Sequence, residues 1–342
     1  MRIGQHPENR DLMAEHTAAD GFYSNNHTNT PSANIVCHFV SPKFGENGQI
    51  CYLCSQKSLL AMKDKEIAFP NAKINLGLFV CQRRPEDGYH ILQTLFYPIA
   101  WLDALEILPE GGIGQCRLVQ TGIAIGGDPE QNLCVKAYRR LQRLFPNLPG
   151  CAIHLEKRVP FGAGLGGGSS DGAYTLLLLR QLFDLPLSDD DLVREAAAMG
   201  ADCAFFVRCA FLPNAAPLAN AQYCEGIGHE LTPHPLSLRG KHIVVVKPPF
   251  GVSTKEAYSN VHPAWPAVSL DELLKLPLGQ WRETIRNDFE ASVFPLHPEL
   301  ASAKKTLYDH GAIYAAMSGS GSALFGIFDD APSDVENWFP ND

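Results

Sequence analysis

At 342 residues the chain exceeds what one small core usually holds, so two domains of ordinary size are expected. Apolar residues make up 45% and charged residues 19%, which excludes a wholly disordered protein; no run approaches the about 18 uninterrupted apolar residues of a membrane-spanning helix. With 28 basic against 37 acidic residues the formal charge is −9, which argues against general nucleic-acid binding but leaves room for a locally positive pocket that takes a small phosphorylated molecule.

Residues 1–62 are rich in Asn, His, Ser and Thr, show no sustained apolar period and are expected to form a poorly structured leader. No basic segment followed by an apolar core opens the chain, so no secretory signal is read. Met62 is an alternative start. Cys51 and Cys54, with Cys37 and His38 upstream, lack the second cysteine pair that a zinc knuckle needs. The ten cysteines mostly sit in apolar runs and read as reduced, buried thiols of a cytoplasmic protein.

From Lys65 the texture changes. Residues 72–80 alternate as a strand, Pro85-Glu86-Asp87-Gly88 makes a turn, and 90–108 reads as further strands. Leu133, Ala137, Leu141 and Leu144 place an amphipathic helix over 132–145, and 153–159 is another strand. A glycine-rich loop over 162–168 then leads into a helix over 173–183 that is apolar nearly all round, hence buried. Ser188 caps a helix over 188–199 with three aspartates in its first turn, where the helix dipole favours them. The Pro- and Gly-bearing stretch 213–240 reads as the connection between halves. Beyond it come strand 243–246, helices near 270–276 and 280–285, helix 298–309, strand 313–317, a small-residue loop at 318–322 and strand 323–328. Helices and strands mixed in both halves make an α+β protein, divided as 1–62, 63–225 and 226–342.

The strongest chemical signal is Pro160-Phe161-Gly162-Ala163-Gly164-Leu165-Gly166-Gly167-Gly168-Ser169-Ser170-Asp171. Five glycines in seven residues let a bulky ligand approach the backbone and permit positive φ. The helix behind adds unpaired N–H groups and a positive dipole end, an anion site suited to phosphates. A plain hinge is the bland alternative. The run lacks the Gly-Lys-Ser/Thr ending of a Walker loop, so neither a P-loop nor a Rossmann label fits.

Three segments together resemble the signatures of the GHMP kinase superfamily: Pro70-Asn71-Ala72-Lys73-Ile74-Asn75-Leu76-Gly77-Leu78, the glycine run, and Met317-Ser318-Gly319-Ser320-Gly321-Ser322-Ala323. Asp87-Gly88-Tyr89-His90 and Gly200-Ala201-Asp202 direct the resemblance to the branch that phosphorylates CDP-methylerythritol on the non-mevalonate route to isoprenoids. The resemblance covers about residues 65–328. It implies a ribosomal protein S5 domain 2-like N-terminal domain, a ferredoxin-like C-terminal domain, ATP as phosphoryl donor with Mg²⁺, a small-molecule acceptor, and no nucleic-acid or membrane partner in a monomer or homodimer. It makes Asp202 the base that accepts the acceptor's hydroxyl proton and Lys73 its cationic partner.

The same resemblance places Asn75, Tyr89 and His90 on the cytidine diphosphate, with His90 reading the cytosine edge, and Tyr258 against the other face of the base. Pro160, Gly162, Gly164, Leu165, Gly166, Gly167, Gly168, Ser169 and Ser170 line the ATP loop, with no choice between Ser169 and Ser170 for the metal. Asn132 and Lys157 align near the adenine; a helix N-cap and an exposed strand lysine are their plain alternatives. The 318–322 loop is expected to close on the phosphates and Lys73, and Asn287-Asp288-Phe289-Glu290 to cap a helix. Against the pattern stand the leader, a long connection at 211–221, and a chain that stops 14 residues after Phe328, where altered last elements are expected. The rival readings are another GHMP kinase of a small alcohol such as homoserine or mevalonate, and a nucleotide-binding module without catalysis.

Overall fold

The structure, a computed structural model, describes residues 35–40, 65–211 and 221–339. Cys51, Cys54, Met62 and residues 212–220 lie outside the described residues.

In chain order the first strands are β1 (Ile35–Val40), β2 (Glu66–Ala68), β3 (Asn71–Arg83), β4 (His90–Leu102), β5 (Ala104–Pro109) and β6 (Cys116–Gly122). Helix α1 (Leu133–Leu144) starts where Asn132 Oδ1 accepts the Cys134 N–H and buries the apolar stripe expected of it. Strand β7 (Cys151–Lys157) precedes α2 (Gly167–Leu182), whose left-handed N-cap is Gly166, so the helix begins inside the glycine run rather than after it. Helix α3 (Asp189–Ala197) opens on a capping box in which Ser188 and Asp191 satisfy each other's backbone N–H.

A further helix, α4 (Ala201–Phe211), follows at once and was not expected. Its run of Cys, Ala, Phe and Val is apolar on every side, so no amphipathic period marks it. The stretch read as a connection holds β8 (Gln222–Glu225) and β9 (Glu230–Pro233). Then come β10 (His242–Lys247), α5 (Thr254–Ser259), α6 (Leu270–Leu274), α7 (Trp281–Thr284), α8 (Glu290–Val293), α9 (Pro298–Asp309), β11 (Tyr314–Met317) and β12 (Leu324–Phe328).

Three four-stranded sheets carry these elements, in the orders β2-β5-β7-β6, β3-β4-β8-β9 and β1-β10-β12-β11. The hairpin β8–β9 extends the sheet of β3 and β4, and it straddles position 225. In the third sheet β1 runs antiparallel to β10 over its full length, from Ile35 opposite Lys247 to Val40 opposite His242. A strand drawn from the leader thus satisfies the hydrogen-bonding edge of β10.

Strand β3 positions the site. Its first eleven residues are buried, because both of its faces are covered. Ala72, Ile74 and Leu76 join a core shared with Val245, Phe325 and Trp281 of the second half. The alternate face, bearing Lys73 and Asn75, turns toward Phe96, Phe205 and Phe206 and the helices of the first half. A third core lies between the β10-β12-β11 sheet and helices α5, α8 and α9. Among the described residues seven cysteines are free, and no helix is long and apolar enough to cross a membrane.

Candidate active site

The glycine run is pinned at both ends and in the middle. The Lys73 N–H donates to Leu165 O at 2.9 Å, stitching the loop to β3. The first bond of α2 runs from the Ser170 N–H to Gly166 O, which leaves the N–H groups of Gly167, Gly168 and Ser169 without a helical acceptor. Those donors and the helix dipole point their positive end at whatever occupies the loop mouth.

Lys73 stands at that mouth. A Cβ on Gly166 would lie 3.2 Å from Lys73 Cε, so the lysine stem runs along the loop. Its ammonium donates to Asn75 Oδ1 at 2.7 Å, sits 5.0 Å above the Phe96 ring and faces Asp202 Oδ2 at 3.5 Å. Asn75 is fixed in turn, its Nδ2 donating to Thr94 Oγ1 at 2.9 Å while the Thr94 hydroxyl donates to Gly77 O at 2.6 Å. The lysine side chain is 4% exposed and the aspartate 32%, so the cation is held from below while the carboxylate reaches the open cleft. Asp202 lies in the first turn of α4, just past Gly200, which separates that helix from α3.

The small-residue loop of the second half closes this corner. Ser318 Oγ donates to Gly164 O at 2.8 Å, and the Ala323 N–H donates to Ala163 O at 3.1 Å. Asn287 makes the local capping bond expected of it, its Oδ1 accepting the Phe289 N–H at 3.0 Å, and its Nδ2 also donates to Met317 O and Gly319 O, at 2.7 and 2.8 Å. Asp288 accepts the Val80 N–H at 2.8 Å and Glu290 accepts the Met317 N–H at 2.8 Å, so the segment clamps the loop to β3. The residue before α8 with helical φ and ψ is Phe289, which has no side chain able to cap.

Lys157 differs most from expectation. Its side chain is wholly buried, paired with Asp103 and, at 2.9 Å, with Asp171. It does not present itself at the surface, because two buried carboxylates hold the ammonium inside. Burial pushes the Asp171 carboxyl up to about 8, against the pull of Lys157 and with the push of Asp103. Asn132 takes its plain alternative and caps α1. Neither Asp103 nor Thr94 carries a sequence signal; both emerge only from the fold.

His90 and Tyr258 meet as stacked rings, 4.6 Å between centroids at 26°, and Tyr258 in turn packs edge-on against Phe289 at 4.7 Å. Tyr89 is 61% exposed. It is His90, not its exposed neighbour Tyr89, that stacks on Tyr258, since neighbours entering a strand alternate between faces. Burial, and behind it Arg83, lowers the His90 pKa below its usual value, which favours the neutral ring with one donor and one acceptor nitrogen.

Residues 132–210 match the model of the GHMP kinases N terminal domain, and residues 269–339 that of the GHMP kinases C terminal domain. Together with the two-domain fold they define a kinase of the GHMP class. The chain is 51% identical over 265 residues to 4-diphosphocytidyl-2-C-methyl-D-erythritol kinase of Bacteroides thetaiotaomicron, covering 77% of this chain and 92% of that protein. It is 48% identical over 269 residues to the protein of the same name from Porphyromonas gingivalis, covering 78% and 93%. A crystal structure of 4-(cytidine 5'-diphospho)-2C-methyl-D-erythritol kinase aligns with a TM-score of 0.62 at 34% identity, over 77% of this chain and 90% of that one. A homoserine kinase from Cytophaga hutchinsonii, at 18% identity and a TM-score of 0.51, shares the fold. The chain belongs to the 4-diphosphocytidyl-2-C-methyl-D-erythritol kinase family.

Proposed function

We propose that the protein transfers the γ-phosphoryl group of ATP to the 2-hydroxyl of 4-diphosphocytidyl-2-C-methyl-D-erythritol, giving the 2-phosphate and ADP, in the cytoplasm. The observation that carries the reading is the Lys73–Asp202 couple at the mouth of the glycine loop. Asp202 accepts the hydroxyl proton as the oxygen–phosphorus bond forms. Lys73 faces that carboxylate at 3.5 Å and steadies the reacting oxygen, and Asn75 and Phe96 keep the ammonium aimed. The free N–H groups at the start of α2, with the loop of residues 162–166, hold the triphosphate against the charge that builds on it.

Mg²⁺ fits this corner on one observation. Ser170 Oγ is fully buried and has no hydrogen-bond partner among the described residues. Ser169 and Ser170 are the residues that would hold a Mg²⁺–phosphate complex, which supplies neutralisation of the triphosphate charge.

His90 and Tyr258 receive the cytosine ring in this reading, with Tyr89 at the rim. A coupled ADP-release assay with the cytidine-diphosphate alcohol, run against homoserine and mevalonate, tests the assignment. Turnover is expected with the first acceptor alone. His90→Ala is expected to raise the KM for that acceptor by about tenfold, the loss of a stacked, hydrogen-bonding ring, and to leave the ATP KM unchanged. Equal turnover with homoserine, or an acceptor KM indifferent to His90→Ala, overturns the substrate.

A further inference from the structure

We propose that the buried Asp103–Lys157–Asp171 cluster is a positioning device for the nucleotide: it sets the path of the glycine loop, and so the affinity for ATP, without touching ATP. The proposal rests on the reading that this loop takes the phosphates.

The three side chains come from the three places that define the loop's course. Lys157 ends β7, where the chain sets out toward the glycines. Asp171 lies in the second turn of α2, just past them. Asp103 joins β4 to β5 and fixes the departure itself, since its Oδ1 accepts the N–H groups of Arg158 at 2.5 Å and Val159 at 2.8 Å. The Asp103 N–H in turn donates to Pro70 O at 2.8 Å, at the entry to β3 and three residues before Lys73. One residue therefore holds the start of the loop through its carboxylate and, through its backbone N–H, the strand that carries the lysine of the site.

The ammonium lies directly behind the helix terminus. A Cβ on Gly167 would come within 2.8 Å of Lys157 Nζ, so glycine at that position makes room for the cation. With side-chain exposures of 0% for Lys157 and Asp103 and 2% for Asp171, the cluster acts through the backbone it braces. Removing the cation leaves two carboxylates facing each other in a dry interior, which forces them apart or makes them share a proton. Either response shifts the Gly167–Ser169 N–H groups relative to the loop. Removing Asp171 releases the helix end from β7 while the Lys157–Asp103 pair persists.

The test compares Lys157→Met, Asp171→Ala and Asp171→Asn in the full chain. The probe is the non-hydrolysable ATP analogue AMP-PNP with Mg²⁺, titrated calorimetrically, with cooperative thermal unfolding as the criterion of a folded protein. Lys157→Met and Asp171→Ala are expected to weaken AMP-PNP binding about tenfold or more and to raise the ATP KM in step, with the acceptor KM unmoved. Asp171→Asn keeps an oxygen acceptor for Lys157 and is expected to recover most of that loss. Folded Asp171→Ala that binds AMP-PNP within about threefold of the wild type overturns the proposal whether or not Lys157→Met folds. An acceptor KM that rises as much as the ATP KM also overturns it, since that is general loosening. A wild-type protein that does not bind AMP-PNP at all overturns the reading of the loop instead.

Discussion

Asp202→Asn is expected to lower kcat by about 10²–10⁴ while leaving the affinity for ATP unchanged, the loss typical of a removed general base. The carboxamide has nearly the size of the carboxylate and still offers an oxygen to Lys73, so the ion pair becomes a weaker dipole contact without an empty space. Lys73 does not lose its seat, because Asn75 Oδ1 at 2.7 Å and the face of Phe96 remain. Stability should therefore change little, as Asp202 is about one-third exposed and carries no buried burden of its own. Rapid-quench measurement of the first turnover checks whether the loss lies in phosphoryl transfer rather than in product release. A first-turnover rate within about tenfold of the wild type would show that the acceptor hydroxyl loses its proton elsewhere, and Asp202 would leave the mechanism.

What the sequence disclosed depended on how local its physics is. The caps of α1 and α3 were legible because Asn132 and Ser188 act within three residues. The glycine run was legible because few other structures need so many residues without side chains. Helix α4 was hidden by its uniformly apolar composition, which has no period to read. The strands β8 and β9 were hidden by flanking prolines and glycines, and they form because β4 offers them an edge about 130 residues away in sequence. Lys157 illustrates the limit most clearly. A charged residue at a strand end is ordinarily solvated, and only the arrival of Asp103 and Asp171 from separate elements makes burial tolerable. For Asn287 only the local half was legible: its Oδ1 takes the Phe289 N–H two residues on, while the carbonyl partners of its Nδ2 lie 30 and 32 positions further along the chain.

Gly164→Ala is expected to abolish most activity and to lower the melting temperature, for reasons that a neighbouring glycine separates. Gly164 has φ of 74°, and a Cβ there would lie 1.9 Å from Ser318 O and 2.8 Å from Ser318 C. These are backbone atoms of the other half of the protein, so the clash is relieved only by moving one loop off the other. That movement breaks the Ser318 Oγ bond to Gly164 O and withdraws the 318–322 loop from Asn75, the partner of Lys73. Gly162 shares the left-handed conformation, with φ of 64°, but a Cβ there meets nothing within 4 Å among the described residues. Gly162→Ala therefore incurs only the backbone term, about 1–2 kcal/mol, whereas Gly164→Ala adds the loss of inter-loop packing. Misplacing reacting groups by about 1 Å costs on the order of 10²-fold in rate, which sets the expected fall in kcat for Gly164→Ala. Melting temperature and steady-state kinetics on the two variants side by side make the comparison. If both lose stability and activity equally, the approach of the two loops is not what glycine at 164 serves, and backbone conformation alone explains the run.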